Sequence, residues 1–183
     1  MIDGYSRKVW PYLLKTKDEH TVLIKIKEWK ALVENQNDER VKVLKADNGL
    51  EYCNNEFEIF YKNQGILRHK TVRKTPQQNG LVEMMNMTFL DRVVCMLYSS
   101  GLPKHFWGAL MTTCYLVNGF PSNAIDCKTP EELWHGNPSN YDHLRIFGCT
   151  TYVHQSEGEL ELRSIKCIYL GCPEGVKRLQ AME

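Results

Sequence analysis

The sequence predicts an α/β core followed by a small β module. Two short runs in the first half alternate apolar and polar residues, as β-strands do, and the stretches beside them carry the apolar period of helices. A proline-containing segment then leads to two β-like runs, so the order of elements changes from mixed α/β to β alone. We therefore predict a core over residues 1–120, a linker over 121–143 and a β module over 144–175.

Composition is that of an ordinary globular protein. The 183 residues include 43% hydrophobic and 25% charged side chains, enough for one domain with a small appendage. The net charge of +1 means that any basic surface for nucleic acid must be local. Seven cysteines without a C-x-x-C pair predict reduced thiols, mostly in the core. No signal peptide and no membrane-spanning run is seen, so we expect an intracellular protein without a membrane partner.

The first elements are a hairpin and a helix. Asp3 and Gly4 form a turn signal, and residues 8–14 are predicted as an edge strand, because Pro11 cannot donate to a ladder. Asp18 is the expected N-cap of a helix with apolar residues at helical spacing over 22–33.

A strand–helix–strand segment follows. Residues 41–46 alternate as a strand does, and Asp47 comes directly after them. Asn54 or Asn55 is the expected cap of a short helix that ends near Gly65. Residues 66–71 are predicted as the last short strand of the core.

Two helices and the β module complete the chain. A long helix is predicted over 80–100 and a second over 104–118, with Gly101 and Pro103 between them. We expect the methionines of the long helix to be core residues, on an apolar stripe of Val82, Met85, Phe89, Val93, Met96 and Leu97. Residues 121–141 are predicted irregular, 144–154 and 166–171 β, and the residues after 175 an irregular end.

Two carboxylates lie where the local pattern changes. Asp47 ends a strand and Glu83 falls in the first turn of the long helix. Magnesium prefers oxygen ligands, and two such ions held by carboxylates can activate a hydroxyl that attacks phosphorus. The alternative is that both are ordinary surface acids, since the chain has 22 acidic residues and offers many such pairs.

Basic and amide side chains lie between these carboxylates. Residues 68–74 hold four cationic side chains and no acid, and a polar loop over 75–80 follows. Such groups contact phosphates and bases, although a solvated loop would have the same composition. The candidate nucleic-acid contacts here are Arg68, Lys70, Arg73, Lys74, Gln77, Gln78 and Asn79.

Several separate phrases resemble the integrase of copia-type LTR retrotransposons, in order and at compatible spacing. They cover nearly the whole chain, which makes the resemblance specific. The phrases are 2–10 (Ile-Asp-Gly-Tyr-Ser-Arg-Lys-Val-Trp), 45–52, 75–83 (Thr-Pro-Gln-Gln-Asn-Gly-Leu-Val-Glu), 101–107, 128–134, 144–149 and 166–171.

The resemblance implies an RNase H-like catalytic core with a mixed sheet flanked by helices, then a small SH3-like β module. It also implies a D, D-35-E metal triad whose second and third members are Asp47 and Glu83, with 35 residues between them. The implied cofactor is Mg or Mn, and the implied chemistry is 3′-end processing and strand transfer of element DNA into target DNA. Asn86 belongs to the same family motif and joins the candidate DNA contacts. Homo-oligomers and a nuclear location are further expectations.

The sequence also departs from the family. The first triad aspartate and the first central strand lie upstream of the opening phrase, so we expect a core that lacks this strand and is catalytically inactive. We likewise expect no counterpart of the family's upstream zinc-binding domain in these residues. Met84 and Met87 stand where the family has arginines, which removes two phosphate contacts. The alternatives are a non-catalytic nucleic-acid-binding or interaction module derived from a mobile element, and an unrelated host role.

Overall fold

The computed structural model describes residues 1–16, 18–46, 55–70, 80–103, 108–142, 144–154, 164–171 and 180–182. The helices and strands in chain order are α1 (Glu19–Asn37), β1 (Val43–Ala46), α2 (Asn55–Gln64), β2 (Leu67–Lys70), α3 (Gly80–Ser100), α4 (Gly108–Gly119), a 3-10 turn (Asn123–Ile125), α5 (Pro130–His135), β3 (Thr150–His154), β4 (Ser164–Gly171) and β5 (Gln180–Met182).

Two compact units share these elements. The smaller unit is Tyr12–Met84, and the larger unit joins Met1–Pro11 to Met85–Glu183. Helix α3 begins in the smaller unit and continues in the larger one. This division differs from the boundary expected between residues 120 and 143, which stays a prediction.

In the smaller unit, β1 and β2 form a parallel pair in which Val43 lies opposite Leu67 and Ala46 opposite Lys70. A parallel pair needs a crossover, and α2 supplies it. The two predicted strands and the helix between them are confirmed. The apolar faces of the helices are buried as their spacing predicts, with Val22, Leu23, Ile26, Trp29 and Val33 on α1 and Phe57, Phe60 and Tyr61 on α2.

Helix α1 begins where the sequence predicts. The Asp18 carboxylate accepts a hydrogen bond from the backbone N–H of Thr21 at 2.8 Å, and another from the Thr16 hydroxyl. These hydrogen bonds hold the pKa of the Asp18 carboxyl well below its ordinary value of 3.8, and the bond from the Thr16 hydroxyl has the largest effect. Gly65, at φ 65°, ends α2 in the left-handed conformation that glycine tolerates.

The larger unit begins with a short hairpin. Met1 and Trp10 exchange backbone hydrogen bonds, and Ile2 bridges Val9. The predicted strand over 8–14 is wrong beyond this point, because Pro11 has no N–H to continue the ladder. The hairpin and the β1–β2 pair are separate ladders among the described strands.

The core of the larger unit lies between α3, α4 and the hairpin. One cluster joins Val9, Phe89 and Cys114, and a second joins Val93, Leu97 and Ala109. The expectation that the methionines of α3 are core residues is correct for Met85 and Met96, which pack partly buried against these clusters.

For other side chains on α3 that expectation is wrong. Met84 and Met87 are exposed, and so is Val82 of the predicted apolar stripe. A helix packs only one face, and the two methionines lie away from the buried Phe89 and Val93. The expectation that the cysteines lie mostly in the core is correct for Cys114 and Cys167, which are buried. It is wrong for Cys95 and Cys127, which are exposed.

The predicted irregular linker contains helical structure. Helix α5 has Thr129 as its N-cap, Pro130 in its first turn and Gly136 as its C-cap at φ 75°. These are ordinary helix-start and helix-stop residues, so the prediction of irregular structure is wrong for this part of 121–141. Trp134 packs edge-on against Trp10 at 5.0 Å between ring centroids, so α5 is part of the larger unit.

The β module is an antiparallel sheet with the order β3-β4-β5. The predicted β run over 166–171 is confirmed in β4, and residues 150–154 of the run over 144–154 form β3. The prediction is wrong for residues 144–149, where a turn closed by a hydrogen bond from the Cys149 N–H to the Ile146 carbonyl precedes the strand. Strand β5 falls in the segment that was expected to be irregular. Strand β4 packs on α4, where the Thr112 hydroxyl donates to the Leu170 carbonyl at 3.0 Å. The SH3-like assignment of the module stays a prediction.

Candidate metal and nucleic-acid site

Glu83 lies in the first turn of α3, with its side chain exposed. The free N–H groups and the positive end of the helix dipole favour a carboxylate at this place. The helix therefore presents the Glu83 side chain to solvent as an oxygen ligand.

The second carboxylate, Asp47, lies outside the described residues. Its predecessor Ala46 is the last residue of β1 and lies opposite Lys70, the last residue of β2. Parallel strands end at the same edge of their sheet, so the chain leaves β1 and β2 side by side. The end of β1 and the first turn of α3 belong to the same smaller unit.

The donor set suits a hard divalent cation. Carboxylate oxygens are the ligands that Mg²⁺ and Mn²⁺ prefer, and both candidate residues are acids. Within the part of the chain that the structure describes, no group of three or more His, Cys, Asp or Glu side chains is placed to hold a metal ion. Asp47 is not among the described residues.

Arg68 has a packing role. Its guanidinium lies over the Tyr61 ring, 5.6 Å from the ring centroid, and its Nε and Nη1 atoms are shielded from solvent. Burial raises the pKa of the Tyr61 hydroxyl, and the neighbouring Arg68 charge opposes that shift. Arg68 therefore helps to hold β2 on α2, and its contact with phosphate stays a prediction.

Of the other candidate DNA contacts, two are described residues and five are not. Asn86 is exposed on α3, three residues after Glu83 and on the same side of the helix. Lys70 ends β2. Arg73, Lys74, Gln77, Gln78 and Asn79 lie outside the described residues.

The larger unit contains a charged cluster that the sequence does not predict. The Lys8 ammonium pairs with the Glu131 carboxylate at 2.8 Å and lies over the Trp10 and Trp134 rings, at 5.8 and 5.6 Å from their centroids. His135 Nε2 lies 2.9 Å from the same carboxylate group. The cluster fastens the opening hairpin to α5. Lys8 and His135 are 127 residues apart, so no local pattern indicates it.

Comparison with known proteins connects this geometry to a family. No family model matches the chain. The retrovirus-related Pol polyprotein from transposon TNT 1-94 of Nicotiana tabacum is 42% identical over 174 residues, which is 93% of this chain. The chain belongs to the Pol polyproteins of copia-type transposons. It spans 13% of the length of the tobacco polyprotein.

Solved structures show the fold of this Pol polyprotein segment. The HTLV-2 integrase catalytic core domain, in complex with magnesium, matches 73% of this chain and 81% of its own length with a TM-score of 0.57. A chain of the simian T-cell lymphotropic virus intasome in complex with PP2A regulatory subunit B56 gamma matches 99% of this chain and 67% of its own length with a TM-score of 0.62. Both are 18% identical to it. The predicted RNase H-like integrase-core fold is confirmed.

None of the helices in the described ranges combines the length and hydropathy needed to cross a bilayer.

Proposed function

We propose that this chain is the catalytic-core segment of a retrotransposon integrase, in which Asp47 and Glu83 together hold a divalent metal ion. The observation that carries the proposal is structural: β1 ends at Ala46, directly before Asp47, and the same compact unit contains the first turn of α3 with Glu83. The magnesium in the HTLV-2 integrase core and the family resemblance support the choice of Mg²⁺ or Mn²⁺.

The proposed substrates are the DNA ends of the element and the target DNA. When bound, the metal would activate a hydroxyl for attack on a phosphodiester. Glu83 would hold the ion from the helix start, and Asp47 from the end of β1. Asn86 and the amides Gln77, Gln78 and Asn79 would contact the DNA beside the metal. Lys70, Arg73 and Lys74 would contact its phosphates, with Arg68 supporting them from β2.

The 183 residues alone supply two of the three carboxylates of the implied triad. We therefore expect no strand transfer from this chain by itself, since one ligand position of the metal pair would be unfilled. The test is a strand-transfer assay with Mg²⁺ and double-stranded DNA that ends in the sequence of the element. Magnesium-dependent joining by the isolated chain, abolished by Asp47→Asn, would show that the two carboxylates suffice and would overturn this expectation.

DNA binding and DNA joining can be measured separately on the same chain. A chain that binds DNA in a salt-dependent manner without joining it would fit a non-catalytic nucleic-acid-binding module of the same descent. Assembly into homo-oligomers and a nuclear site of action are parts of the proposal that follow from the family.

A further inference from the structure

The opening hairpin has a strand edge that faces helix α4. Lys8 and Trp10 hydrogen-bond to the partner strand, and Val9 lies between them, opposite Ile2. In an antiparallel pair the backbone groups of successive residues point alternately toward and away from the partner strand. The N–H and C=O of Val9 therefore point away from it. We call this side of residues 7–11 the outer edge.

Side chains of α4 take up the hydrogen-bonding groups of Val9 at the outer edge. The Asn118 amide accepts a hydrogen bond from the Val9 N–H at 2.9 Å and donates one to the Val9 carbonyl at 2.8 Å. The Cys114 thiol donates to the same carbonyl at 3.2 Å. All three residues are buried. Helix α4 therefore occupies the place that a further strand would need.

The outward positions on either side of Val9 are unsuited to strand pairing for a different reason. Pro11 has no N–H to donate to a ladder. Arg7 has φ 63°, which is outside the extended conformation of a strand. A strand edge recruits another chain through a row of free N–H and C=O groups, and residues 7–11 do not offer such a row.

We propose that α4 blocks β-strand addition at the outer edge, and that Asn118 is the residue that maintains this block. An added strand would hydrogen-bond to the N–H and C=O of Val9, and the Asn118 amide already binds both. Pairing would require α4 to leave the hairpin and to expose Val9 and Cys114 to water, which is unfavourable. The proposal concerns the larger unit alone and does not rest on the proposed function.

The block depends on hydrogen bonding as well as on packing. An apolar side chain in place of Asn118 could fill much of the same space, but it would leave the Val9 N–H without an acceptor. A buried donor without a partner is stabilised by contact with water or with a carbonyl of another chain. A packing defect elsewhere in the larger unit lowers stability without freeing this group.

Hydrogen exchange of the full 183-residue chain, followed by NMR, tests the block without any substitution. The protection factor of the Val9 amide should exceed that of the Tyr5 amide by at least about a hundredfold, because α4 must leave the hairpin before Val9 can exchange. Tyr5 is the matched control, since its N–H also bonds to a side chain, the Asp3 carboxylate at 3.2 Å, but is exposed. Similar protection of the two amides would overturn the proposal, because the outer edge would then be open to solvent.

The consequence for strand pairing is tested by comparing Asn118→Ala with Leu97→Ala. Leu97 is buried in the same unit, in the cluster that does not contain Val9. At urea concentrations that leave the two variants equally folded, Asn118→Ala should form thioflavin-T-positive assemblies at least about fivefold faster. Pro11→Val alone should match the wild type, because Val9 stays paired. Added to Asn118→Ala, it should speed assembly further, because it restores a backbone donor to the outer edge.

The two measurements decide the proposal together. Faster assembly of Asn118→Ala than of Leu97→Ala supports it. Equal rates would show that assembly follows stability alone, and would overturn it. If Asn118→Ala does not fold, the exchange of the Val9 amide in the wild-type chain decides the proposal by itself.

Discussion

At the scale of single residues, Asn118 holds the opening hairpin in place. Its buried side chain accepts a hydrogen bond from the Val9 N–H at 2.9 Å and donates one to the Val9 carbonyl at 2.8 Å. One amide thus satisfies both backbone groups of a residue in the core. The side chain replaces a neighbouring strand, which explains how this segment is buried without being part of a longer ladder.

Replacing Asn118 should be costly. Asn118→Ala leaves the buried N–H of Val9 without its hydrogen-bond acceptor, and it removes one hydrogen-bond donor from the Val9 carbonyl. We therefore expect a loss of about 2–4 kcal/mol in the free energy of unfolding. Urea denaturation measures it. Asn86→Ala, on the exposed side of α3, is the matched control and should stay within about 0.5 kcal/mol of wild type. Equal effects of the two substitutions would contradict the role of Asn118.

At the scale of elements, local signals predicted α1, α2 and α3, because caps and helical spacing are properties of neighbouring residues. Asp18 and Gly65 mark their ends in both sequence and structure. Strand β5 could not be predicted in this way, because its three residues are ordered by pairing with β4. Helix α5 had a usable signal in Thr129 and Pro130, which was outweighed by the surrounding prolines.

The contact between β4 and α4 depends on a glycine. Gly171 has φ 117°, and a Cβ there would lie 2.1 Å from the Thr112 Oγ1 atom. We therefore expect Gly171→Ala to destabilise the chain by at least about 2 kcal/mol in urea denaturation, from backbone strain and the clash together. Gly4→Ala should change stability by less than about 0.5 kcal/mol, since no atom lies within 4 Å of its added Cβ. A tolerated Gly171→Ala would show that β4 and α4 can separate without cost.

At the scale of the whole molecule, segments that are distant in the sequence pack together in one unit. The net charge is too small to give the chain a strong overall electrostatic field. Lys8 pairs with Glu131, so the first residues and the segment after α4 are parts of one unit. The net charge is only +1, so the proposed DNA binding must depend on a local basic segment. The sequence predicted that segment from its composition. The distance between the Asp47 and Glu83 carboxylates depends on how β1 and α3 are arranged, and no sequence pattern predicts that distance.

DNA binding should therefore respond to local charge. We expect Arg73→Ala/Lys74→Ala to lower the affinity for double-stranded DNA and to reduce the slope of log affinity against log salt by about 2. Fluorescence anisotropy at several salt concentrations measures both. Lys25→Ala/Lys62→Ala removes the same charge from α1 and α2 and serves as the control. The basic segment would lose its assigned role if both double variants changed the slope equally.

The central claim is that Asp47 and Glu83 share a divalent metal ion, and a Mn²⁺ titration followed by NMR tests it most directly. Bound Mn²⁺ broadens nearby amide signals, so broadening should centre on residues next to Asp47 and on the first turn of α3. Asp47→Asn and Glu83→Gln should each weaken it at least about tenfold, because the proposed site holds the ion through these two carboxylates. Glu58→Gln, which removes an exposed carboxylate from α2 in the same unit, should leave it unchanged. Broadening that persists in both site variants, or that centres elsewhere, would contradict the shared site.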